Sequence, residues 1–160
     1  MLYFWNVSMA KKIFFLLVLT SVVSCEPDDI CESSIPDTPA LVIRLYDAAQ
    51  PDQLKPISSL TATGQGLETS LVFQQIDSIA LPLRVTQNQT DFTLATEDIE
   101  DMLKIQYTPS DKYISRACGF KTVFSINNIQ IEEPKNWIQS IELVTSEVVH
   151  DSLAHVKIFY

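Results

Sequence analysis

Leu41-Val42-Ile43-Arg44-Leu45-Tyr46 decides the fold class. Leu41, Ile43 and Leu45 fall in one phase of a two-residue period, and Arg44 and Tyr46 in the other. That alternation predicts a β-strand with one buried face and one wet face. The same period returns along the chain. Ile79, Leu81, Leu83 and Val85 alternate within residues 78–85, and Pro82 inside that run marks an edge strand or a bulge. Leu103, Ile105 and Tyr107 share a face over residues 102–108. Cys118, Phe120, Phe124 and Ile126 share a phase over residues 118–126, the strongest core strand, which places Cys118 on the aromatic face. Residues 58–63, 70–75, 91–95, 137–144 and 154–160 complete the strands, and a further extended segment begins at Tyr113.

Between them lie turn signals: a polar loop over 47–56, Gly64-Gln65-Gly66, residues 86–90, residues 109–112 and Glu132-Glu133-Pro134. Residues 96–101 read as an acidic connection, with one helical turn capped by Thr96. No segment keeps a 3.6-residue apolar period. Short strands at regular spacing predict an all-β domain over residues 40–160. The expected architecture is an antiparallel, immunoglobulin-like β-sandwich of about seven to nine strands.

Upstream of this domain the pattern changes. Lys11-Lys12 precede the apolar run of residues 13–23, which is broken only by Thr20 and Ser21. The run falls short of the roughly 20 residues needed to span a bilayer. Basic residues, a short apolar stretch and a small-residue boundary are the three parts of an export signal. Val22-Val23-Ser24 then leads into Cys25, which is the aliphatic–small–cysteine order of a bacterial lipobox. Residues 1–24 therefore read as a lipoprotein-type signal peptide, Cys25 as the lipidated first residue, and residues 25–39 as an acidic tether. The competing readings are an ordinary signal with a chance cysteine, or an uncleaved signal anchor. Met9-Ala10-Lys11-Lys12 is a more ordinary start than the apolar residues 1–8, so translation begins at Met1 or Met9.

The chain of 160 residues carries a net charge of −9. Removing the signal takes away two of the eleven basic residues and none of the twenty acidic ones. Such an anionic surface disfavours nucleic acid and anionic lipid headgroups. Membrane attachment then falls to acyl chains on Cys25, of which one binds marginally and two or three bind stably.

Three cysteines are an odd number for an exported protein. Lipidation of Cys25 leaves Cys31 and Cys118, which an oxidising compartment would join. The alternatives are two buried thiols, or a Cys25–Cys31 bond if Cys25 is unmodified.

Catalytic chemistry leaves no trace in the sequence. Gly64-Gln65-Gly66 opens no helix, and no Gly-x-Ser-x-Gly elbow exists. His150 and His155 are five apart, which in one strand would put them on opposite faces, and neither has a partner at metal-ligand spacing. Glu97, Asp98, Glu100 and Asp101 lack the alternating-acid-and-glycine pattern of a calcium loop and read as a solvated connection. No catalytic, cofactor-binding or metal residue is assigned. Asp77-Ser78-Ile79 and Asp151-Ser152-Leu153 match a loose O-glycosylation signal of Bacteroidetes, making Ser78 and Ser152 weak candidates. Asn88-Gln89-Thr90 is formally an N-glycosylation sequon.

Four stretches carry a family resemblance. They are Cys25-Glu26-x-Asp28-Asp29-Ile30-Cys31, Thr38-Pro39-x-Leu41-Val42-Ile43-Arg44-x-Tyr46-Asp47, residues 77–84 and Ser115-Arg116-Ala117-Cys118-Gly119-Phe120-Lys121-Thr122. Together they resemble an uncharacterised lipoprotein family of Bacteroidetes, mainly flavobacterial, defined as a domain of unknown function. The resemblance implies an outer-membrane lipoprotein and supplies no catalytic residues. It also implies that acids behind the lipidated cysteine can direct surface export; Glu26, Asp28 and Asp29 are similar to such a signal, interrupted by Pro27.

The expected function is that of a non-enzymatic envelope lipoprotein, lipid-anchored in the outer membrane at its periplasmic face or on the cell surface. It would serve as a binding or accessory subunit, with an outer-membrane β-barrel as the partner to look for and nucleic acid excluded. The rivals are a surface hydrolase acting on glycans, which requires a cleft lined by paired acids such as those of the 97–101 loop, and a purely structural envelope protein.

Overall fold

The computed structural model describes Lys11, Lys12, Cys31 and residues 38–97 and 99–160. The chain divides into two compact units, one of residues 33–114 with 120–160, the other of residues 1–32 with 115–119. Within the larger unit the fold is all-β, two sheets packed as a β-sandwich.

Among the described residues, eleven strands follow in order: β1 (Leu41–Asp47), β2 (Gln50–Leu54), β3 (Ile57–Gly64), β4 (Ser70–Ile76), β5 (Ser78–Leu81), β6 (Gln89–Thr96), β7 (Ile99–Ser115), β8 (Gly119–Ile131), β9 (Ser140–Leu143), β10 (Glu147–Val148) and β11 (Val156–Phe159). The first sheet runs β2-β1-β11-β9, with β5 also paired to β1; the second runs β10-β8-β7-β6-β3-β4.

β1 is central to the first sheet. It pairs in parallel with β11, Ile43 opposite Val156 and Leu45 opposite Ile158. Along its first half it pairs antiparallel with β5, Leu41 opposite Leu81 and Ile43 opposite Ile79. A parallel pair needs a long crossover, and here the whole second sheet lies in the chain between β1 and β11. Leu41, Ile43 and Leu45 are fully buried, and Arg44 is exposed. They join Ile79, Leu81, Val156 and Ile158 from their own sheet and Leu60, Leu94, Leu103, Ile105, Tyr107 and Phe124 from the other in one hydrophobic cluster. Each such side chain contributes about 1.5–3 kcal/mol by leaving water.

Several expected boundaries move. There are more strands than about seven to nine, because β2 occupies part of the expected 47–56 loop and β10 is a two-residue strand. The helical turn expected over 96–101 is replaced by a tight hairpin: Thr96 pairs with Ile99, and Glu97 takes a positive φ of 49°. β5 stops at Leu81, before Pro82, so Leu83 is buried outside any strand and Val85 is exposed. Trp137 precedes its strand, since β9 begins at Ser140. The strand expected from Cys118 starts at Gly119, whose φ is +70°; Cys118 lies in the β7–β8 turn, and Phe120 is exposed while Phe124 and Ile126 are buried.

β7 runs through Pro109 rather than stopping at Thr108. Its last partner on β6 is Gln106, opposite Gln89, and the Tyr107 N–H then reaches the Asn88 carbonyl at 2.9 Å. The nitrogen of Pro109, two residues on, faces the same side past the end of β6, so its missing N–H costs no ladder bond. On the other flank β8 meets β10 only at Phe124 and Ser125. Among the described residues, the β7–β8 hairpin beyond these points is a two-stranded ribbon with no third strand beside it.

Candidate functional site

An acid-lined cleft is built on Asp101. Asp101 shares the phase of Leu103, Ile105 and Tyr107, so β7 turns its carboxylate inward, where it is buried. Main-chain donors from the segment before β9 meet it there. The Asn136 N–H donates to Oδ1 at 2.6 Å, and the Trp137 and Ile138 N–H groups donate to Oδ2 at 3.0 and 2.7 Å. Asn136 Nδ2 donates to the Glu100 carbonyl at 2.6 Å, and Trp137 Nε1 to the Leu94 carbonyl at 3.0 Å. The segment also contains the cis Glu133–Pro134 bond. A carboxylate receiving three main-chain N–H groups is a satisfied anchor that pins a loop, not a free base.

Beside this anchor lies a shallow cleft of about 220 Å³, lined by Thr93, Glu100, Asp101, Met102, Glu132, Glu133, Pro134 and Asn136. Of its four acids, Asp101 holds the loop and Glu132 accepts from Lys104 Nζ at 2.8 Å. That hydrogen bond raises the Lys104 pKa above its ordinary 10.5. Glu133 forms a local ion pair with Lys135 at 3.4 Å. Glu97 lies in the β6–β7 turn and Glu100 and Asp101 at the start of β7, and of the three only Glu100 and Asp101 line the cleft; Asp98 lies outside the described residues.

The histidines take different roles. The His155 ring is buried, and its Nδ1 accepts from the Val42 N–H at 3.0 Å while the His155 N–H donates to the Val42 carbonyl at 2.9 Å. The proton of the neutral ring therefore sits on Nε2, which has no hydrogen-bond partner among the described residues. Burial holds the pKa below its ordinary 6.5, against the opposing pull of the His150 main chain. His150 is outside any strand, its ring centroid 6.4 Å from that of His155, with Nδ1 3.1 Å from Ser152 Oγ. Ser152 is exposed, whereas Ser78 is half-buried and paired with Arg44. Among the described residues, no group of three or more His, Cys, Asp or Glu is placed to hold a metal, and no helix is long and apolar enough to cross a membrane.

In the smaller unit, Cys31 and Cys118 form a disulfide with a Cα–Cα distance of 4.9 Å, spanning 87 residues of sequence. The Cys118 N–H donates to Ser115 Oγ at 3.0 Å, closing the turn that presents the sulfur. Cys25, Glu26, Asp28 and Asp29 lie outside the described residues.

Asp101 is hard to pick out as a structural centre from sequence, because residues 96–101 look like one acidic connection. The signal was present: Asp101 stands two residues before Leu103, in the apolar phase of its strand. His155 gave no such signal, since it is out of phase with Val156 and Ile158 and is buried by the approach to β11.

No curated protein and no solved structure matches the chain. A family model does, over residues 59–160, from within β3 to the last residue. That span contains Asp101 with all its donors, both histidines and Cys118, and more than half of the chain. The chain belongs to DUF6452, a family of unknown function.

Proposed function

We propose that the protein is an envelope lipoprotein of Bacteroidetes, held in the outer membrane by lipid on Cys25 and acting as a non-enzymatic binding or accessory subunit of an outer-membrane assembly. The observation that supports this reading is the Cys31–Cys118 disulfide. It takes two of three cysteines and leaves Cys25, the residue directly behind the apolar run and Val22-Val23-Ser24, as the odd one. A disulfide also fits an oxidising compartment. Glu26, Asp28 and Asp29 would bias the protein toward surface display, and exposed Ser152 is the better glycan acceptor of the two candidates. The test is mass spectrometry of the envelope-derived protein. A diacylglyceryl-modified Cys25 at its N-terminus is the expected result, and an unmodified Cys25 thiol would sink the reading. Native pulldown in detergent then asks for the partner, an outer-membrane β-barrel being expected, and a protein that stays solitary would count against the accessory role.

A second reading, a surface hydrolase acting on glycans, draws on the acid-lined cleft. Its two carboxylates would have to be Glu100 and Glu133, since Asp101 is held by main-chain donors and Glu132 by Lys104, while Glu133 has only an exposed local pair with Lys135. Glu100→Gln and Glu133→Gln would each abolish glycan cleavage under this reading. Cleavage that survives both substitutions, or no cleavage by the native protein, removes it.

A further inference from the structure

The β7–β8 ribbon, whose Thr122 N–H donates to Thr38 Oγ1 at 3.2 Å, is amphipathic. The rings of Tyr113 and Phe120 meet edge-on, 5.3 Å between centroids, yet they are 54% and 67% exposed. Asp111 and Thr122 form the next cross-strand pair, the threonine hydroxyl donating to the carboxylate at 2.9 Å. These two contacts put Asp111 and Tyr113 on one face with Phe120 and Thr122. By strand alternation, Lys112 and Lys121 then share the other face. Two ammonium groups on one face of a short ribbon repel. Among the described residues, Lys121 Nζ donates to the Val149 carbonyl at 3.3 Å. The stretch is also anomalous in charge. Residues 108–123 carry Lys112, Arg116 and Lys121 against the single acid Asp111, in a chain whose net charge is −9.

We propose that this ribbon is a membrane-contact element: Tyr113 and Phe120 seat in the interfacial layer of a phospholipid bilayer, and Lys112 and Lys121 reach anionic headgroup phosphates. The inference rests on the lipid-anchor reading above and deepens it. Exposed aromatic rings are at home between headgroups and acyl chains. Long lysine side chains reach past an apolar face to a phosphate layer. Complementarity selects this occupant, since an anionic headgroup between Lys112 and Lys121 relieves their repulsion. The covalent route points the same way. Phe120 follows two residues after Cys118, which is bonded to Cys31, six residues after Cys25. Six extended residues reach at most about 20 Å, so one membrane leaflet is the surface most often presented to the ribbon.

The experiment uses the full lipidated protein on phosphatidylethanolamine–phosphatidylglycerol vesicles, with Phe120→Trp as a reporter and brominated lipid as a quencher. The native protein, which reports only from Trp137 after signal removal, is the control. The added emission of Phe120→Trp is expected to be quenched and that of the control to be spared. Lys112→Gln and Lys121→Gln introduced into the reporter should each shift the ribbon's docking equilibrium about fivefold toward the undocked form, without lowering domain stability. A protein that floats with the vesicles but shows no quenching overturns the ribbon contact and leaves the anchor standing. Quenching indifferent to both lysines overturns headgroup recognition. A protein that does not float overturns the anchor reading and this contact together.

Discussion

The hydroxyl of Tyr107 exchanges two hydrogen bonds with the main chain of Arg84: it donates to the carbonyl and accepts from the N–H, each at 2.9 Å. Thr90 Oγ1 adds a third contact at 2.6 Å. Tyr107 is fully buried against Phe124, ring edge to ring face at 5.3 Å. The loop after β5 lies outside both sheets, and the phenol bonds both main-chain groups of Arg84.

Tyr107→Phe keeps the ring and removes the oxygen. The Arg84 carbonyl loses its donor, and the Arg84 N–H keeps only the longer 3.2 Å contact to Thr90 Oγ1. A loss of about 2 kcal/mol is expected, the penalty of leaving buried polar groups short of partners. Urea unfolding would show it as a lower midpoint at unchanged slope; an unchanged midpoint would mean that water replaces the phenol.

The two-residue period made the core legible. Leu41, Ile43 and Leu45 in β1, and Leu103, Ile105 and Tyr107 in β7, are buried in the phase the sequence sets. What escaped had physical reasons. β2 is exposed at every residue, so no burial pattern marks it. Phe120 keeps the phase of Phe124 but lies where the ribbon has left the second sheet behind, so phase alone could not bury it. The parallel pairing of β1 with β11 depends on contacts across the whole chain and leaves no local trace. In the cleft, Glu132 and Glu133 meet Glu100 and Asp101 only through the fold.

Asp101→Asn separates the structural role of the cleft from a chemical one. Both carboxylate oxygens accept N–H donors, and an amide offers only one acceptor, so at least one donor faces an NH₂ group. A loss of about 3 kcal/mol is expected from burying an unsatisfied donor and losing charge-assisted bonds. Glu100→Gln, on the exposed side of the same cleft, should stay within about 0.5 kcal/mol. Thermal unfolding of the two variants side by side measures the contrast; equal effects would mean that Asp101 does not pin the loop.

His155 should give the fold an acid limit. Its folded pKa is held below 6.5 by burial, while the unfolded chain binds a proton at the ordinary value. Between the two, the unfolded state holds more protons, so stability rises with pH there. Stability is thus full above about pH 6.5 and declines as pH falls from that value toward the folded pKa. Protonation also removes the lone pair on Nδ1 that receives the Val42 N–H. His155→Gln should be less stable at neutral pH and should flatten the decline just below pH 6.5. Unfolding midpoints across that range decide it: parallel curves for both proteins would assign the acid sensitivity to other groups.

The Cys31–Cys118 bond makes the last prediction. It closes 87 residues of chain, and the chain-entropy model assigns a loop of that size about 4–5 kcal/mol, taken from the unfolded state. Replacing both cysteines by serine should therefore destabilise the protein by a few kcal/mol while leaving the sandwich contacts in place. The two origins of such a loss differ in one observable. If the constraint acts on the unfolded chain, releasing it lets that chain expand and expose more surface, so the urea slope should rise as the midpoint falls. If the bond acts by holding native contacts together, the midpoint falls at constant slope. A rise in slope is expected, because the β1 to β11 core contains neither cysteine.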